Sequence, residues 1–155
     1  MNRRLKQPAT CAGFHRGTSK QDVETDPTFI DAVEARFGEI DFDLAANTQN
    51  AQGADPYRFM GPGSPIAEDS LSQDWAKLHD AKGHDPLVMW LNPPFDSISR
   101  WARKCAETRT DYQRTILMLT PASIGANWFR DYIWPHARIY ILNGRLTFVG
   151  ETTPY

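Results

Sequence analysis

Apolar and polar positions change period several times along this chain, and each change marks an element. Phe29, Ile30, Val33 and Phe37 share one face at helical spacing. Thr25-Asp26-Pro27 ahead of them offers a capping side chain and a proline for the first turn, and Gly38 behind them supplies a stop. The spacing therefore predicts a helix over about residues 25–38. Ile40-Asp41-Phe42-Asp43-Leu44 alternates with period two and reads as a strand. Residues 47–72 are rich in Gly, Pro, Asn, Ser and Asp and read as a long irregular segment, of the kind that is functional or mobile in a compact domain. Pro86-Leu87-Val88-Met89-Trp90-Leu91 is a short continuous apolar run bounded by turn signals, the pattern of a buried parallel strand. Ser97 opens a helix running to about Thr108, with Ile98, Trp101, Ala102 and Cys105 inward. Residues 115–120 form the next buried strand, 125–133 a helix and 138–142 another strand. Asn143-Gly144 is a hairpin signal before Leu146-Thr147-Phe148-Val149.

Strands alternating with helices predict an α/β domain, a mostly parallel central sheet with helices on both faces. The last hairpin would add an antiparallel edge. Residues 1–20 are basic and aperiodic and read as an arm, leaving 21–155 as one domain. A length of 155 residues suits a single core, and 41% hydrophobic with 23% charged residues is ordinary for a soluble globular protein. No apolar run is long enough to cross a bilayer, and no apolar stretch follows the basic start as in a secretory signal. Two cysteines without metal-site spacing point to a reducing, cytoplasmic setting. A net charge of −2 excludes a uniformly cationic surface but leaves room for a basic patch.

The most specific chemistry follows the strand at 86–91. Asn92-Pro93-Pro94-Phe95 stands at its carboxyl end, where open α/β sheets bind ligands. The Asn92 carboxamide oxygen and the Pro93 carbonyl are two acceptors for an amino group on a flat ring. The prolines stiffen the loop and carry no N–H, and Phe95 offers a stacking face. A tight strand-to-helix connection is the plainer reading of such a loop, but its context favours a site. Asp43 ends a strand, followed by the small residues Ala45 and Ala46, and is either a nucleoside acceptor or a solvated strand end. Asp74-Trp75 reads equally as an acceptor beside an apolar wall or as a capped turn with a core tryptophan. The four histidines show no ligand spacing, so no metal site is expected, and there is no Gly-rich phosphate cradle.

Taken in order, these segments resemble the phage-type DNA N6-adenine methyltransferases, a compact branch of the S-adenosylmethionine-dependent enzymes. The resemblance runs through Thr18-Ser19-Lys20, residues 24–27, 42–46 and 69–75, then Asn92-Pro93-Pro94-Phe95, and closes with 119–122, 127–129 and 144–148. It implies a Rossmann-like domain that transfers a methyl group to the N6 amine of an adenine flipped out of double-stranded DNA. It implies that Asn92, Pro93, Pro94 and Phe95 form the catalytic target-base site. It implies cofactor contacts at Asp43, Ala45, Asp74 and Trp75, with Thr25 and Pro27 flanking the methionine end. Lys20, Arg100, Arg103, Lys104 and Arg145 are the candidates for tracking phosphates, which gives affinity more readily than sequence choice; dimerisation or a partner would supplement it. Two features depart from the pattern: glycines are missing after Asp43, and a further strand is expected beyond Tyr155. The Asn-Pro-Pro-aromatic element alone also suits cytosine N4, RNA adenine or a glutamine amide, and a non-catalytic relative that binds nucleic acid or protein would share the fold.

Overall fold

The computed structural model describes residues 24–53, 55–79, 87–108, 114–144, 146, 148 and 149. The basic arm, Lys20 and Arg145 lie outside them, as do parts of the expected hairpin. Three strands form a parallel sheet in the order β1 (Phe42–Asp43), β2 (Leu87–Leu91), β3 (Arg114–Met118). The register sets Asp43 beside Trp90 and Leu91 beside Met118, so the carboxyl ends of all three strands lie level.

Alternation along β2 sorts the core into two layers. Val88 and Trp90 face helix α1 (Pro27–Phe37), meeting Ile30, Val33 and Ile40. Leu87, Met89 and Leu91 face the other way, toward Trp75 and Trp101 of helix α2 (Ile98–Glu107). Both faces are thus covered, and every residue of β2 is buried, as its unbroken apolar run requires. Asp26 caps α1 through bonds from the N–H groups of Thr28 and Phe29, at 2.8 and 3.3 Å, with Pro27 in the first turn. The arrangement is compatible with a Rossmann-like fold.

The irregular segment after β1 has a role that periodicity does not reveal. Two isolated parallel bridges, Asp43 with Phe59 and Met60 with Ala67, carry the sheet outward beyond β1. The Met60 N–H donates to Asp43 O at 2.8 Å and the Gly61 N–H to Ala67 O at 2.9 Å. Each outer strand is one residue deep, so turns replace the helices that would ordinarily join them.

Three expectations are corrected. Residues 138–142 form no strand. Tyr140 instead packs edge-on against Phe37 at 5.4 Å with the Arg36 guanidinium 5.2 Å above its ring, and Ile141 is 89% exposed. A β-rich sequence becomes a strand only where an edge accepts it, and here aromatic and cation–π contacts to α1 hold the segment instead. Among the described residues there is no antiparallel edge. Phe148 is buried, and the Val149 N–H donates to Glu24 O at 3.0 Å, so Tyr140 meets the end of α1 and Val149 the residues before its start. The expected helix over 125–133 is present only from Asn127, and Phe129–Ile133 is a π-helical turn. No helix among the described residues is long and apolar enough to cross a membrane.

Candidate active site

Period two along β2 continues past its end. Trp90 faces α1, so Asn92 does too, and the residue waiting there is Thr25, just before the α1 cap. The Asn92 amide nitrogen donates to the Thr25 hydroxyl at 3.3 Å, across 67 residues of sequence. Thr25 is 2% exposed. Pro93 is buried, while Pro94 and Phe95 are half-buried. Pro94 accepts from the Ser97 N–H at 3.2 Å, which turns the chain directly into α2. The loop therefore lies between two packed helices, with its base tied by hydrogen bonds on both sides.

Asp43 stands one strand away; the N–H of Leu44 donates to Trp90 O at 2.8 Å. Its carboxylate is buried and accepts from the N–H groups of Ala45 and Gln52, at 3.1 and 3.0 Å. Burial pushes its pKa from 3.8 to about 7, only partly offset by those two backbone hydrogen bonds. Asp43 thus shapes the loop that carries Ala45, rather than standing as a solvated strand end. Gln52 had no signal in the sequence, because a backbone N–H carries none.

No glycine follows Asp43, but one packs against the loop from the neighbouring bridge. Gly61 has φ +136°, and a Cβ added to it would lie 2.0 Å from the Ala46 carbonyl oxygen. Gly61 thus lets its own backbone pack closely on the Ala46 carbonyl, while alanines occupy the loop itself. An open groove of about 350 Å3 runs beside this region, lined by Pro27, Asp31, Glu34, Glu39, Gln52 and Gly53 among others. Asp31, Glu34 and Glu39 make its wall acidic, with the Glu34 carboxylate accepting from the Ile40 N–H at 2.9 Å.

Asp74 and Trp75 lie on the opposite face of the sheet. Trp75 is wholly buried, donates its indole N–H to Ser70 O at 3.0 Å and stacks on Trp101 at 6.2 Å between centroids. Asp74 caps the turn over Trp75–Lys77, accepting from the Ala76 N–H at 3.2 Å, and pairs with Lys77 at 3.1 Å. The Lys77 ammonium holds its carboxyl below the usual range. This geometry is that of the capped turn with a core tryptophan.

The α2 cations differ from one another. Arg103 pairs with Glu107 at 2.7 Å, and the Lys104 ammonium rests 5.5 Å from the Trp75 ring centre. Arg100, in the first turn of α2 and exposed, makes no ion pair among the described residues. Among the described residues no cluster of His, Cys, Asp and Glu could hold a metal. Burial pushes the Cys105 thiol up to about 12, so it is an inert core group beside Met118.

The family model described as DNA N-6-adenine-methyltransferase (Dam) matches residues 16–154. The chain is 28% identical over 173 residues to a protein of Escherichia phage T1 named DNA N-6-adenine-methyltransferase. That alignment takes in 96% of this chain and 66% of the relative, so the chain spans just under two thirds of that relative's length. No solved structure matches. With all but its first residues and the last one inside the family model, the chain belongs to the DNA N-6-adenine-methyltransferase (Dam) family.

Proposed function

We propose that this protein transfers a methyl group from S-adenosylmethionine to the exocyclic N6 amine of adenine in double-stranded DNA. One observation carries the reading: an Asn-Pro-Pro-Phe loop at the carboxyl end of β2 with the Asn92 amide nitrogen bound to buried Thr25. The family membership and the relative's name support the same substrate.

S-adenosylmethionine supplies a methyl group already activated by a sulfonium charge. The residues present fit such a donor. The buried Asp43 carboxylate holds the loop of small residues that includes Ala45, and the adjoining groove is lined by the acidic residues Asp31, Glu34 and Glu39. Pro27 begins the helix that borders the groove, and Thr25 stands just before its cap.

The chain's task is to place a nitrogen in line with the methyl carbon. The adenine amine is a poor nucleophile because its lone pair is delocalised into the ring. With Nδ2 of Asn92 bound to Thr25, Oδ1 is left to accept one N–H of that amine, and the Pro93 carbonyl accepts the other. Two acceptors favour a pyramidal nitrogen and disperse the positive charge that grows on it. A base inside a duplex cannot reach this loop, so it is flipped out, with Phe95 replacing part of the lost stacking.

The test is transfer of a labelled methyl group to unmethylated DNA, followed by digestion to nucleosides. Labelled N6-methyladenine is expected; labelled N4-methylcytosine would replace the base and keep the site; no transfer to DNA would overturn the reading. Asn92→Ala is expected to lower kcat at least about a hundredfold while leaving the thermal shift with S-adenosylhomocysteine intact. Equal loss of turnover and cofactor binding would count against the role given to Asn92.

A further inference from the structure

We infer that Thr25 is a positioning residue for the Asn92 carboxamide, anchoring the side chain where it meets the target base. The inference rests on the proposed transfer to a planar amino group, but its structural half stands on geometry alone. A carboxamide has two ends of similar shape and opposite hydrogen-bonding sense. Rotated by half a turn, Asn92 would present an NH2 to an NH2, and the target amine would lose an acceptor. The backbone of β2 fixes only the direction in which the side chain leaves the sheet, toward α1.

What anchors the carboxamide is the neighbour on that side. The Thr25 hydroxyl stands 3.3 Å from Nδ2 of Asn92, and Thr25 is 2% exposed, so water does not compete freely for that contact. Thr25 is itself immobilised from both sides. Asp26 caps α1 immediately after it, and Glu24 immediately before it accepts from the Val149 N–H. A buried polar side chain held this firmly has a cost unless it is hydrogen-bonded, and the Asn92 amide is the partner the structure supplies. The segment to which the resemblance gives only a place beside the cofactor thereby also orients the group that receives the base.

The test compares Thr25→Val, which keeps the shape and removes the hydroxyl, with Thr25→Ser, which keeps the hydroxyl and removes a methyl. Thr25→Ala serves as a second hydroxyl-free variant should the valine disturb folding. Turnover, KM for DNA, S-adenosylhomocysteine binding and the 15N-resolved side-chain NH2 signals of Asn92, assigned by their loss in Asn92→Ala, are measured for each. In Thr25→Val, kcat is expected to fall about ten- to hundredfold from the misplaced acceptor. KM and ligand binding should stay within about twofold. The Asn92 NH2 pair should shift and exchange faster with solvent, and Thr25→Ser should restore both readouts. Unchanged kcat and unchanged NH2 signals in the two hydroxyl-free variants would overturn the inference. So would parallel loss of ligand binding and turnover with Asn92 signals intact. If the wild-type protein transfers no methyl group to adenine, the proposed function fails, and the NH2 signals still decide whether Thr25 holds Asn92.

Discussion

Asp43 is the residue whose chemistry is most at odds with its surroundings. It gains two backbone hydrogen bonds, yet burial outweighs them and raises its pKa from 3.8 to about 7. The folded state therefore holds a proton that the unfolded chain has already released anywhere between those values. Protonated Asp43 favours folding below about pH 4, and that advantage is lost as pH rises toward 7, on the order of 4 kcal/mol in all. Asp43→Asn removes the titration. Chemical denaturation at several pH values from 4 to 8 is expected to show that the wild type loses stability with rising pH more steeply than the variant. Equal slopes would mean that the carboxylate is better solvated than its burial implies. A cation bound in the neighbouring groove would lower this pKa, so the slope should shrink when ligand is present.

At the scale of elements, what was legible in the sequence had a period or a cap. Asp26 and Pro27 start α1 where the sequence places it, Gly38 ends it, and the apolar run at 87–91 is a fully buried strand. The outer sheet was not legible, because Phe59, Met60 and Ala67 pair as single residues and one residue has no period. Residues 138–142 show the opposite failure: a strand pattern with no strand, since Tyr140 is held by Phe37 and Arg36. In the site, Asn92 and its loop were readable from residue types, whereas the Thr25–Asn92 bond and the Gln52 contact to Asp43 join distant positions. Gly61 stood among unremarkable turn residues and acquires meaning only from the backbone it approaches. Gly61→Ala must either move the Ala46 carbonyl or abandon φ +136°, so a loss of at least about 2 kcal/mol is expected by urea denaturation. A neutral substitution would show that the 44–47 loop yields easily.

For the whole molecule, the balance of charge bears on how DNA is held. The net charge is −2, and two of the three α2 cations are already engaged, Arg103 with Glu107 and Lys104 over Trp75. Arg100 stands one turn beyond the Asn-Pro-Pro-Phe loop and is the α2 cation best placed for a phosphate. Arg100→Ala is expected to weaken DNA binding alike across sequences and to lower the slope of log K against log salt by about 1. An unchanged slope would place the backbone contacts elsewhere. The hydrogen bond from Val149 to Glu24 reaches further still. It joins positions near opposite ends of the described chain, so it requires nearly everything between them to be in place. Such a contact belongs late in folding. The residue next to Glu24 is Thr25, so the anchor of the acceptor amide is completed only when positions near the two ends of the described chain have met.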